Sequence, residues 1–250
     1  MTQSVMEIFN SHRQIAKQIT KIEDSLDIEI PHENVPGEPK AFKIGITGSS
    51  GAGKSSLINA LVKKFLLIEK KMAILLIDPV SETSGGSLLG DRIKLDRKYP
   101  ELGVYIRSIS THRQNQNIPK SLEQILNLLS NLNFEIIFIE TIGISQQDAD
   151  IRKYCDLVIS MPAIDIGNEL QYIKSSMFEI ADIVFVNKND KMIQNSNSDN
   201  KSFLDEFLEI KLQAGGKIPK VVYGSVLNGE GTAEIFKNLC EKIESPILYE

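Results

Sequence analysis

An apolar run, Ala41–Thr47 (AFKIGIT), passes at once into Gly48-Ser49-Ser50-Gly51-Ala52-Gly53-Lys54-Ser55 and then into a helical stretch, Lys54–Leu67. The octapeptide matches G-x-x-x-x-G-K-[ST] in full, with a predicted strand before it and a predicted helix after it. Glycines let the backbone wrap closely around a pyrophosphate and aim several N–H groups at its oxygens. The helix that follows presents its positive end to the same anion. Lys54 is expected to reach the β- and γ-phosphates, and the Ser55 hydroxyl to ligate magnesium. Gly48, Ser49, Ser50, Gly51, Ala52, Gly53, Lys54, Ser55 and Ser56 are thus the expected phosphate contacts. By itself the loop implies only a nucleoside triphosphate and Mg²⁺.

A rhythm of strands and helices surrounds this loop. Met72–Ile77, Phe134–Glu140, Leu157–Met161, Ile183–Asn187 and Val221–Ser225 read as buried strands. Ser121–Leu129, Gly167–Ile180 and Thr232–Ile243 read as helices between or after them. Near-continuous β-branched runs alternating with helices predict an α/β fold of the P-loop NTPase kind. Its sheet is mostly parallel and covered by helices on both faces. Ligands of such folds bind beyond the carboxyl ends of the strands. Ahead of this lies an amphipathic helix over 2–26, with Val5, Ile8, Phe9, Ile15, Ile19, Ile22 and Leu26 at helical spacing. Residues 27–40 carry Pro31, Pro36, Gly37 and Pro39 and read as a linker. The expected division is therefore 1–40, helix and linker, and 41–250, nucleotide-binding domain. The polar stretch 191–202 reads as a surface loop.

Bulk properties exclude several roles. The chain has 250 residues, with 28 Lys and Arg against 33 Asp and Glu. A net charge of −5 argues against nucleic acid as the main partner, since phosphate neutralisation needs a basic face. Two cysteines, Cys155 and Cys240, form no C-x-x-C pair and are expected to be core residues. With no apolar run long enough for a membrane span and no signal peptide, the expected address is the cytoplasm.

Asn187-Lys188-Asn189-Asp190 stands at the end of a predicted strand and resembles the N-K-x-D signature of GTPases. A carboxylate at Asp190 can accept both N–H donors on the guanine edge. Adenine lacks that donor pair and would leave a desolvated charge unpaired. Lys188 is expected to pack its stem along the base, and Asn187 to tie two loops together. Ser225-Val226-Leu227-Asn228 resembles the short loop that meets the guanine O6 through a backbone N–H, although a plain strand-to-helix turn fits equally well.

Three carboxylates fall at or just beyond strand ends: Asp78, Asp91 and Glu140. GTPases usually carry D-x-x-G where a strand reaches the γ-phosphate. Here the sequence is Glu140-Thr141-Ile142-Gly143, and Gly143 leaves an N–H free to approach that phosphate. Magnesium takes few of its oxygen ligands from protein. With Ser55 and two phosphates also bound, some of the three carboxylates act through water.

The segments DPVSETSGGSLLGD, IFIETIGISQQD, GNELQYIKSSMFEIADIVFVNKND and HRQIAKQITKIED resemble the MeaB-type GTPases. These are G-protein chaperones of adenosylcobalamin-dependent mutases, including methylmalonyl-CoA mutase. The resemblance covers roughly residues 10–190. It implies that GTP binding and hydrolysis to GDP gate cobalamin delivery to the mutase and protect it during turnover. It places switch segments at about 79–95, 141–155 and 163–176, with Glu169 and Lys174 in the third. Departures include Ser145, Asp148 and Asn168, and the glycine-free Ser108–Asn117 after a strand ending in Ile-Arg. The resemblance also implies a possible homodimer, although the long C-terminal arm through which the family dimerises is absent from a sequence that stops at Glu250.

In many GTPases a glutamine directly after the D-x-x-G glycine orients the attacking water. That position is Ile144, which predicts slow intrinsic hydrolysis accelerated by a partner. Gln146 and Lys174 are the candidates for completing the site in that complex, beside Lys54 and Glu140. The alternative is a GTPase metallochaperone for nickel. Such proteins often carry a histidine-rich run, whereas His12, His32 and His112 are scattered.

Overall fold

The computed structural model describes residues 5–24, 41–78, 95–111, 118–141, 146–162, 179–188 and 218–243. Its elements, in chain order, are α1 (Val5–Asp24), β1 (Phe42–Gly48), α2 (Lys54–Leu67), β2 (Met72–Asp78), β3 (Tyr105–Ser110), α3 (Leu122–Asn131) and β4 (Ile136–Glu140). A 3₁₀ segment (Gln146–Tyr154), β5 (Leu157–Met161), β6 (Ile183–Val186), β7 (Lys220–Tyr223) and α4 (Thr232–Ile243) follow. The expected linker at 27–40, the loop at 191–202 and nearly all of the helix expected at 167–180 lie outside the described residues.

The strands form one sheet of order β3-β2-β4-β1-β5-β6-β7. Every pairing is parallel. Consecutive side chains on a strand point to opposite faces, and the core divides accordingly. Ile44 and Ile46 of β1, Ile74 and Leu76 of β2, and Phe138 of β4 pack with Leu57, Leu61 and Phe65 of α2. Ile235 and Leu239 of α4 complete that layer, where Phe65 meets Phe236 edge-on at 4.8 Å between centroids. Ala73, Leu75 and Ile77 of β2 and Ile137 and Ile139 of β4 face the other way, toward Ile125 and Leu129 of α3.

The leading helix joins this second layer. Ile15, Ile19 and Ile22, spaced four and three residues apart, form its buried stripe, and Ile19 is fully covered. Arg107 of β3 donates to Thr20 and Glu23 on the next turns, fastening α1 along the edge strand. Among the described residues no helix is long and apolar enough to cross a membrane.

One expectation needs correction. Ser108, Ile109 and Ser110 are not loop: they are the second half of β3, and Ser110 pairs with Asp78. The strand is hard to read because Arg107 and Ser108 break its apolar run at the sheet edge, where one side needs no partner strand. The crossover between β4 and β5 is a 3₁₀ segment that no periodicity announced. Its Ile151 is buried beneath the sheet, and Arg152 is paired with Asp182 ahead of β6. Cys240 is fully buried. Cys155 is only partly buried as a residue, but a side chain at Gly45 would come within 2.8 Å of its sulfur, and burial pushes its thiol up to about 12.

Candidate nucleotide site

Five segments converge at the carboxyl ends of the strands. The phosphate loop follows β1, Asp78 ends β2, Glu140 ends β4, Asn187 follows β6 and Ser225 follows β7. The parallel sheet forces this convergence, because all its strands finish on one edge.

The loop geometry depends on glycine at two points. Gly48 has φ 138°, and a Cβ there would lie 2.1 Å from the Met161 carbonyl oxygen on β5. Gly53 has φ 101°, and a Cβ there would lie 2.3 Å from Nδ2 of Asn187. The backbone is therefore pressed against two neighbouring strand ends, and only glycine fits. Lys54 folds back over the loop, its Nζ donating to the carbonyls of Gly48 at 2.8 Å and Ser49 at 3.1 Å. Lys54 and Ser55 are buried, while Ser50, Gly51 and Ser56 are exposed.

Asn187 is the hub of the far side. Its Nδ2 donates to the carbonyl of Ala52 at 2.8 Å, and its Oδ1 accepts from the Val226 N–H at 3.0 Å. One buried amide thus joins the phosphate loop, the segment after β6 and the segment after β7. Lys188 beside it adopts φ 64°, a left-handed conformation uncommon for a lysine, and is exposed. Ser225 is buried, Val226 half-buried and Leu227 89 % exposed.

On the near side, Ser55 Oγ donates to Glu140 Oε1 at 3.0 Å. Asp78 is 1 % exposed and lies on the same face of the sheet, since Ile77 before it faces the α3 layer. A serine hydroxyl and two buried carboxylates beside a phosphate loop are hard oxygen donors, which suits magnesium. Asp91, Gly143, Glu169, Lys174 and Asp190 lie outside the described residues. Gln146 opens the 3₁₀ segment.

Sequence reading missed Thr47 and Thr141. Their hydroxyls, both buried, are hydrogen-bonded across β1 and β4 at 3.0 Å. Threonine at a strand end is too ordinary a choice to stand out, and no motif marks the pair.

Over residues 15–245 the chain matches the family described as methylmalonyl Co-A mutase-associated GTPase MeaB. It is 36 % identical over 181 residues to a protein of Pyrococcus abyssi named as a GTPase, covering 72 % of this chain and 56 % of that one. It is 36 % identical over 153 residues to the fused isobutyryl-CoA mutase of Geobacillus kaustophilus, covering 60 % of this chain and 14 % of that protein. This chain therefore spans little more than half of the first relative and a small part of the second. Its fold is similar to the crystal structure of the hydrogenase maturation factor HypB from Archaeoglobus fulgidus, at TM-score 0.61 and 18 % identity over 94 % of this chain and 99 % of that one. A strand-loop-helix phosphate cradle, a guanine-type motif after β6 and this match over most of the length agree: the chain belongs to the MeaB family of methylmalonyl-CoA mutase-associated GTPases.

Proposed function

We propose that this chain binds GTP with Mg²⁺, hydrolyses it to GDP and phosphate, and serves as a chaperone of an adenosylcobalamin-dependent acyl-CoA mutase. In this role it gates loading of the cobalamin cofactor and protects the mutase. The observation that carries the nucleotide part is the Asn187 hub, which binds the base-reading segment to the phosphate loop. The mutase part is supported by the family match and by the relative in which a homologous segment is fused to a mutase.

In this reading the backbone amides of Gly48–Ser56 hold the phosphates. Lys54 exchanges its loop carbonyls for phosphate oxygens, a charge-assisted contact stronger than the neutral ones it gives up. Ser55 holds the metal, with Glu140, Asp78 and Asp91 as its direct or water-mediated carboxylates. When bound, magnesium neutralises phosphate charge. Asp190 reads the guanine edge, with Lys188 along the base and the Ser225–Leu227 turn near O6. Ile144 has no polar group to orient a water, so the isolated chain waits for a partner. Gly143 brings its N–H to the γ-phosphate, and Gln146 and Lys174 complete the site in that complex. The address is the cytoplasm. The HypB likeness is one of fold and brings no nickel chemistry with it.

Single-turnover GTP hydrolysis is expected to be slow for the chain alone. A cognate cobalamin mutase should raise it by about tenfold or more, and the chain should be retained on that mutase in pull-down. Fast hydrolysis without a partner, or no response to the mutase, would overturn the chaperone reading. Asp190→Asn should exchange guanine for xanthine preference, since an amide can donate where the carboxylate accepts. Competition between GTP and xanthosine triphosphate measures this; an unchanged order would remove Asp190 from base reading.

A further inference from the structure

Glu140 and Thr141 are consecutive residues that grip opposite ends of the phosphate loop. Glu140 turns to the α2 face and accepts from Ser55, the last residue of the motif. Thr141 turns to the other face and donates its hydroxyl to Thr47, the residue just before Gly48. Its backbone N–H also donates to the Ile46 carbonyl at 3.1 Å, carrying the β1–β4 ladder one step past β4. The loop of 48–55 is thus fixed at its entrance and at its exit by neighbouring positions of one strand.

The bridge is built at a cost. Thr47 is 0 % and Thr141 2 % exposed, in a layer otherwise filled by Ile77, Ile139 and Ile151. Ser160 of β5, opposite Thr47 in register, adds a third buried hydroxyl on that face. Its Oγ has no hydrogen-bond partner among the described residues. Valine would fill these positions without burying a polar group. Buried hydroxyls kept side by side across three strands at the mouth of a site indicate geometry retained at the expense of stability.

We propose that Thr141 is a positioning residue for GTP hydrolysis, acting through its hydroxyl bridge to Thr47. The bridge holds the carboxyl end of β4 and the phosphate loop in one register. It rests on reading the site as that of a GTPase. The Thr141 hydroxyl is buried on the face away from α2, so it acts through the entrance of the loop and not through the α2-side contact of Ser55 with Glu140. Its effect falls on the alignment of β4's end with the terminal phosphate rather than on grip of the diphosphate, which the loop amides supply.

The test is Thr141→Val, which keeps the shape and β-branching and removes the hydroxyl. Single-turnover hydrolysis should fall about tenfold while the Kd for Mg-GDP stays within about twofold, a split that separates alignment from binding. Thr141→Ser should restore the rate. Adding Thr47→Val to Thr141→Val should cost little more than the single change, because the two hydroxyls act as one unit. A wild-type rate in Thr141→Val, or equal losses of rate and GDP affinity, would overturn the proposal. A wild-type chain that binds and slowly hydrolyses GTP, with Thr141→Val matching its rate, removes only the bridge. Failure of the wild type to bind GTP removes the GTPase reading, and the bridge with it.

Discussion

Gly53→Ala should weaken binding of GTP and GDP alike by about 100-fold, which corresponds to about 2.7 kcal/mol. Two effects act together. Alanine at φ 101° is strained, by roughly 1–2 kcal/mol for an L-residue in left-handed conformation. Its methyl group would also sit 2.3 Å from Asn187 Nδ2, a distance that no real contact reaches. Either the loop or the asparagine must move, and Asn187 cannot move without giving up Ala52 or Val226. The fold itself should survive, because the apolar layers on both faces lie away from this contact. Calorimetric titration with both nucleotides, beside a melting curve, separates lost affinity from lost stability. Affinity within about fivefold of wild type would show that the close approach of loop and asparagine is not needed.

Asn187→Asp should be nearly as damaging at neutral pH, for an electrostatic reason. The change keeps size and shape, and the remaining oxygen can still accept from Val226. The other oxygen, however, replaces the donor that faces the Ala52 carbonyl at 2.8 Å. Two acceptors then meet at a buried position, 8 % exposed, and an ionised carboxylate there has lost its hydration. A loss of roughly 30- to 100-fold in affinity for GTP is expected, equivalent to about 2–3 kcal/mol, in the range for an unsatisfied buried group. The sign of its pH dependence follows. Burial and the facing carbonyl both disfavour the ionised form, which raises the carboxyl pKa. Once protonated, the acid can donate to Ala52, so affinity should recover as pH falls. Wild type should show no such recovery. A variant whose deficit is independent of pH, measured by nucleotide titration across the acidic range, would mean that the Ala52 contact is not what Asn187 contributes.

Much of this was legible in one dimension. The phosphate loop declares itself because its chemistry is local: eight consecutive residues supply the amides, the lysine and the hydroxyl. Strand β2 is legible because both its faces are covered, leaving an unbroken apolar run from Met72 to Ile77. Strand β3 is less so, since its edge position tolerates Arg107 and Ser108, and Arg107 has a tertiary purpose in holding α1. The 3₁₀ crossover carries too little apolar periodicity to read, although Ile151 anchors it.

The sequence by itself marked the candidates for holding phosphate, metal and guanine, and showed which apolar stripes would be buried. These are properties of neighbours along the chain. Only the tertiary structure decided how the pieces are braced. The Ser55–Glu140 contact spans 85 positions, Thr47–Thr141 spans 94 and Ala52–Asn187 spans 135. No local pattern encodes such pairs, because nothing near either partner along the chain specifies the other. They meet because a parallel sheet brings every carboxyl end to one edge.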